Sequence, residues 1–172
     1  MKPTTVFVTY NPDNDFEQTL AVRLHTIGAV HGFNMLMPDR FGLYDQLNSE
    51  TSYRIRSSDY FILFSTSNLT PVVLQEINTA FAHLNDKSKI VIIYNKVKNL
   101  KHIENCTEVV IDAAKDSPQK ILDTVIREIQ SNQHGLRKAP MKQDDDATSV
   151  LGGILLIGLG LLALDSLFNS KK

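Results

Sequence analysis

Apolar residues fall along this chain in short, nearly continuous runs, each followed by a stretch in which they recur every three or four positions. Thr5 to Tyr10 (Thr-Val-Phe-Val-Thr-Tyr), Phe33 to Met37, Asp59 to Ser65, Lys89 to Tyr94 and Glu108 to Ile111 have the length of strands. Their apolar content does not alternate with polar residues, the pattern of strands covered on both faces. Between them the period lengthens. After the turn cluster Asn11 to Asp15, in which Asp15 is expected to cap a helix, Phe16, Leu20, Leu24 and Ile27 recur at helical spacing until Gly32. A weakly amphipathic helix is expected over roughly Gln46 to Arg56. Thr70-Pro71 reads as an N-cap and first helical position, because proline's missing N–H is no loss there, and Val73, Ile77, Ala80 and Leu84 make the inward stripe that follows. Ser117-Pro118 opens a last helix with Ile121, Val125 and Ile129 inward. Pro38-Asp39-Arg40-Phe41-Gly42 is a loop, and the largely polar Asn95 to Asn105 is expected to be irregular.

Strands that alternate with helices predict an α/β fold with a five-stranded parallel sheet covered on both faces. In open sheets of this kind ligands bind outside the carboxyl ends of the strands. The third strand, its hydroxyl-rich turn and the helix after it carry the most chemistry, since Glu76 falls in that helix's second turn, close to this edge.

The pattern changes after residue 130. Residues 131–148 contain glycine, proline, basic residues and the run Asp144-Asp145-Asp146 without apolar periodicity, and are expected to be a linker. Val150 to Leu164 is entirely apolar or glycine, and Leu167 and Phe168 extend it beyond Asp165 and Ser166. As a helix, Val150 to Phe168 spans about 28 Å, close to the hydrocarbon thickness of a bilayer. Residues 149–168 are therefore expected to form a single transmembrane anchor, with an assembly helix packed in protein as the alternative, and 169–172 a short tail. Ser149 and Gly153 make a small-xxx-small pair, which suits close helix association under either reading. The first apolar stretch is too short for an export signal, so a cytoplasmic domain anchored to the inner (plasma) membrane is expected.

Composition narrows the function classes. The 172 residues, 42% hydrophobic and 22% charged, suit one domain plus a tail. A formal net charge of -1, with basic residues dispersed along the chain, disfavours nucleic acid as a partner. Cys106 is the only cysteine, which excludes an internal disulfide and a multi-thiolate zinc site and is expected to be inert. There is no glycine-rich phosphate loop and no His-Glu-x-x-His pattern; His25, His31, His83, His102 and His134 are scattered. No metal and no bound cofactor are expected.

With these elements in place, the chain resembles a Toll/interleukin-1 receptor (TIR) domain of the bacterial type over about Lys2 to Gln130. Val6-Phe7-Val8-Thr9-Tyr10 is similar to the family's opening box, Phe33 to Phe41 to its second strand and functional loop, and Ile55 to Ser65 followed by Glu76-Ile77 to its most diagnostic part. The resemblance implies a flavodoxin-like three-layer sandwich with sheet order 2-1-3-4-5. It also implies either an NAD glycohydrolase that cleaves the nicotinamide–ribose bond, with bacterial members acting in antiphage defence, or a non-catalytic signalling scaffold recruiting partners at a membrane. In the enzymatic group the catalytic residue is a glutamate in the helix after the third strand, and Glu76 is the matching position. Val72 stands where many catalytic members carry an aromatic residue, usually tryptophan, and this chain has no tryptophan.

The residue spacing agrees with a role for Glu76. Three residues after Val73 and four before Ala80, it borders the buried stripe and is placed to face the strand ends. A carboxylate partly withdrawn from water stabilises the oxocarbenium-like charge that grows on ribose as the glycosidic bond breaks. Nicotinamide leaves as a neutral molecule, so no metal is required. Around it, the expected substrate-binding residues are Thr9 and Tyr10 at the end of the first strand, Arg40 for a diphosphate, Phe41 in the same loop, and Ser65, Ser67 and Asn68 for ribose hydroxyls. NAD is substrate here, not cofactor. A homo-oligomer is the expected active form, because the Pro38 to Gly42 loop is expected to be ordered by a neighbour. A nucleoside or deoxynucleoside transferase, which shares the layout and a carboxylate near the same edge, is a third possibility.

Overall fold

The computed structural model describes residues 2–40, 46–96 and 105–133. The elements run β1 (Thr5–Thr9), α1 (Asp15–Val30), β2 (Asn34–Leu36), α2 (Ser49–Arg56), β3 (Tyr60–Ser65), α3 (Pro71–His83), β4 (Ile90–Asn95), β5 (Thr107–Ile111) and α4 (Pro118–Gln133), with a single 3-10 turn at Lys87–Lys89 before β4. The five strands form one sheet of order β2-β1-β3-β4-β5, and every neighbouring pair is parallel. This is the expected flavodoxin-like layout.

Strand side chains point alternately to the two faces. Val6 and Val8, Ile62 and Phe64, and Val91 and Ile93 pack under α1 and α4, while Phe7, Phe61, Leu63, Ile90 and Ile92 pack under α2 and α3. Both faces of β1, β3 and β4 are therefore dry, which is why their sequence runs are continuously apolar. Each such side chain, fully buried, contributes about 1.5–3 kcal/mol relative to exposure. The central strands anchor the domain, and their carboxyl ends are held in fixed register.

The boundaries differ from expectation in instructive ways. Asn14, not Asp15, caps α1: its side chain accepts from the amides of Phe16 and Glu17 at 3.0 and 3.2 Å, so Asp15 becomes the first helical residue. Gly32, at φ +83°, ends this unit in the left-handed conformation that glycine adopts without a Cβ penalty. β2, paired with β1 alone, is three residues long, shorter than the apolar run Phe33 to Met37. Asn48 caps α2 by accepting from the Thr51 amide, so that helix begins after Gln46. Pro71 opens α3 as expected, yet the Thr70 hydroxyl makes no capping bond. α4 continues through Gln133, past the expected start of the linker at residue 131. The rest of the linker, the apolar segment 149–168, Phe41 and Gly42, and most of Asn95 to Asn105 lie outside the described residues. Among the described residues no helix is long and apolar enough to cross a membrane.

Candidate functional site

The sheet order places a crevice at one edge. From β1 the chain moves outward to β2 and then crosses back to β3 on the other side, so the carboxyl ends of β1 and β3 flank the topological switch point. The loops after β1, β2 and β3 meet there, and α1 and α3 each turn a buried carboxylate toward them.

Glu76 comes from α3. Val73, Ile77 and Ala80 lie buried on the helix's inner face, and Glu76, on the same stripe, has 0% exposure. Its Oε2 accepts a hydrogen bond from the Thr9 hydroxyl at the end of β1. Arg40, in the loop after β2, places Nη2 at 3.3 Å from the same oxygen, at 3.2 Å from Thr9 Oγ1 and at 3.0 Å from the Tyr10 carbonyl. The guanidinium also stands over the Tyr10 ring, 5.3 Å from its centroid. Glu76 Oε1 and Arg40 Nε and Nη1 are buried and have no hydrogen-bond partner among the described residues. An unpaired buried polar atom costs about 1–3 kcal/mol, and more when charged. Burial pushes the Glu76 carboxyl above its ordinary range; the Arg40 charge and the hydrogen bonds from Thr9 and Arg40 pull it back only in part. The cluster thus holds an acid that is reluctant to ionise and lacks part of its hydrogen-bonding complement.

Glu17, in the first turn of α1, is also 0% exposed. Its surroundings are opposite in kind. Oε2 accepts from the Asn11 amide at 2.8 Å, and Oε1 accepts from the amides of Thr66 and Ser67 at 2.7 and 2.8 Å and from their hydroxyls at 2.8 and 2.9 Å. Asn11 completes the bridge by donating from Nδ2 to Ser67 Oγ at 3.0 Å and to the Asn68 carbonyl at 2.7 Å. The loops after β1 and β3 are joined through this one side chain.

Of the residues expected at the site, Arg40 contacts Thr9, Tyr10 and Glu76, and Thr9 contacts Glu76 directly. Ser65 is buried at the end of β3. The Ser67 hydroxyl is engaged by Glu17 and Asn11, and Asn68 is exposed while its carbonyl serves Asn11. Phe41 lies outside the described residues. Val72 is 4% exposed in the core shared with Phe7 and Leu63, so that helix position fills the interior and presents no ring to the crevice. Sequence reasoning missed Glu17 and Asn11. A signal for Glu17 existed: it lies three and four residues before Leu20 and Ala21, on the face of α1 that turns inward.

Away from the crevice, burial pushes the Cys106 thiol up to about 12, with Glu108 adding to the effect, as an unreactive cysteine requires. Among the described residues no three His, Cys, Asp or Glu side chains are grouped to hold a metal ion. Compared with known proteins, the chain matches no family model and no curated protein.

Proposed function

We propose that this chain is a TIR-type domain that cleaves the nicotinamide–ribose bond of NAD, with Glu76 as its catalytic carboxylate, and that it works in an assembled, membrane-anchored form of the kind used in bacterial antiphage defence. The observation that carries the reading is a glutamate with 0% exposure at the switch point of a parallel sheet, bonded through one oxygen and, among the described residues, unpaired at the other. A group kept in that condition costs stability, and such costs concentrate where chemistry is done.

In this reading the site is closed. Arg40 and Thr9 cover Glu76, so NAD reaches the carboxylate only after Arg40 swings away. The released guanidinium then pairs with the diphosphate of NAD, and the cationic nicotinamide ring favours the ionised carboxylate that the closed site disfavours. As the glycosidic bond lengthens, positive charge moves onto ribose beside Glu76, where a carboxylate shielded from water stabilises it more than the ground state. Self-association is the proposed trigger for opening, acting on the loop that carries Arg40.

A non-catalytic scaffold is the second reading. The specific observation in its favour is that same ion pair, since a buried carboxylate held by an arginine and a threonine also serves as a simple tether between α3 and the sheet edge. Incubation of concentrated protein with NAD, and separately with nucleosides, separates the possibilities. Nicotinamide and ADP-ribose-type products support the NAD reading, base exchange on nucleosides with NAD intact supports a transferase, and no turnover together with retained partner recruitment supports a scaffold.

A further inference from the structure

Glu17 has no part in the chemistry proposed above, and its burial calls for an explanation. A carboxylate withdrawn from water adds to stability only where its hydrogen-bonding capacity is met. Here three backbone amides, from Asn11, Thr66 and Ser67, and the hydroxyls of Thr66 and Ser67 converge on it. The amides come from two loops that are far apart in sequence, one leaving β1 and one leaving β3, and these strands flank the crevice. Neither loop can satisfy its inward amides alone, because a short connection at a parallel strand's end has no ladder partner for them. The same carboxylate sits where Asn14 Nδ2 is 3.4 Å from Oε1, so the cap of α1 touches the cluster as well.

We infer that Glu17 is a positioning residue: its carboxylate is a built-in anion that locks the β1 and β3 loops together and so fixes the carboxyl edge at which Thr9 meets Glu76 and Arg40. The residues held this way are Asn11, Ser67 and Asn68. Without the anion the converging amides repel one another, the loops part, and the Asn11 bonds to Ser67 and Asn68 are lost with them. Because no hydrogen bond or ion pair among the described residues joins Glu17 to Glu76 or Arg40, its loss loosens substrate binding and leaves the charge that acts on the glycosidic bond in place.

The kinetic part of the test rests on the NAD-cleaving reading, so it is paired with a measurement that does not. Glu17→Ala opens a hole the size of a small carboxylate, which formate can refill. The expected result is a KM for NAD raised about tenfold or more, the change that about 1.4 kcal/mol represents, with kcat within about threefold of wild type, and recovery of KM on adding formate but not chloride at equal ionic strength. A structural role alone lowers the folded fraction, and hence kcat, at unchanged KM; that result overturns the inference. Hydrogen exchange supplies the independent arm. The amides of Asn11, Thr66 and Ser67, although in loops, exchange slowly in wild type, quickly in Glu17→Ala, and slowly again in formate. Fast exchange at these amides in wild type overturns the inference even if Glu17→Ala does not fold, and Glu17→Asp, one methylene too short, gives the intermediate KM and exchange rates. If wild type leaves NAD intact, the function proposed above fails while the exchange arm still decides the role of Glu17.

Discussion

Glu17 and Glu76 are equally hidden from solvent, lie on opposite faces of the same sheet and sit at the same carboxyl edge, yet they are treated differently by their surroundings. Glu17 receives backbone amides and hydroxyls at both oxygens. Glu76 receives Thr9 and Arg40 at one oxygen and, among the described residues, nothing at the other, and burial raises its carboxyl above the ordinary range. Backbone donors are fixed by the fold and cannot leave, whereas a threonine hydroxyl rotates and an arginine in a loop can swing away. The first arrangement holds a shape; the second holds a charge in reserve.

The largest effect that can break this contrast is on stability. Glu17→Ala strands several buried donors at once and is expected to cost about 3 kcal/mol or more in denaturant unfolding. A loss below about 1 kcal/mol would show that the donors find water easily and that Glu17 is not a lock. Arg40→Gln tests the other carboxylate. The Arg40 charge lowers the Glu76 carboxyl, so its removal moves the acid limb of kcat/KM for NAD to higher pH, from a wild-type position already above the ordinary glutamate value of 4.5. A limb that stays in place means that Glu76 does not titrate in the free enzyme.

The smallest effect is the most diagnostic for Glu76 itself. Glu76→Gln keeps the shape and an acceptor for Thr9 and Arg40, and is expected to remain within about 1 kcal/mol of wild type near neutral pH. A raised carboxyl stabilises the fold below the ordinary glutamate range and loses that contribution as pH rises through its folded value. The stability difference should therefore move in favour of Glu76→Gln with rising pH across that interval. Urea unfolding at a series of pH values reads this directly, and a difference moving the opposite way would mean that Arg40 and Thr9 outweigh burial.

Most of the fold was legible because the apolar pattern is strong where it matters. The continuous runs of β1, β3 and β4 and the stripes Val73, Ile77, Ala80 and Ile121, Val125, Ile129 admit few other readings. The errors fell at element ends, some decided by one side-chain bond, as when Asn14 displaced Asp15 as the cap of α1, and some by how far the pairing or the helix continues, as at β2 and α4. At the site, Glu76 was found because an acid on an apolar stripe stands out once the strand before it is recognised. Glu17 follows the same rule on α1, but an acidic residue in a first turn already has an ordinary reason to be there through the helix dipole, and that reason masked it. The partners of both acids come from distant loops, and spacing along the chain carries no record of which loop meets which.

Nicotinamide release from NAD by concentrated wild-type protein and by Glu76→Gln, matched for folded fraction and assembly, tests the central claim most directly. The account predicts release by wild type that rises more than proportionally with protein concentration and falls by about 100-fold or more in Glu76→Gln. Equal release by the two proteins, or none from wild type at any concentration in its assembled state, would contradict it.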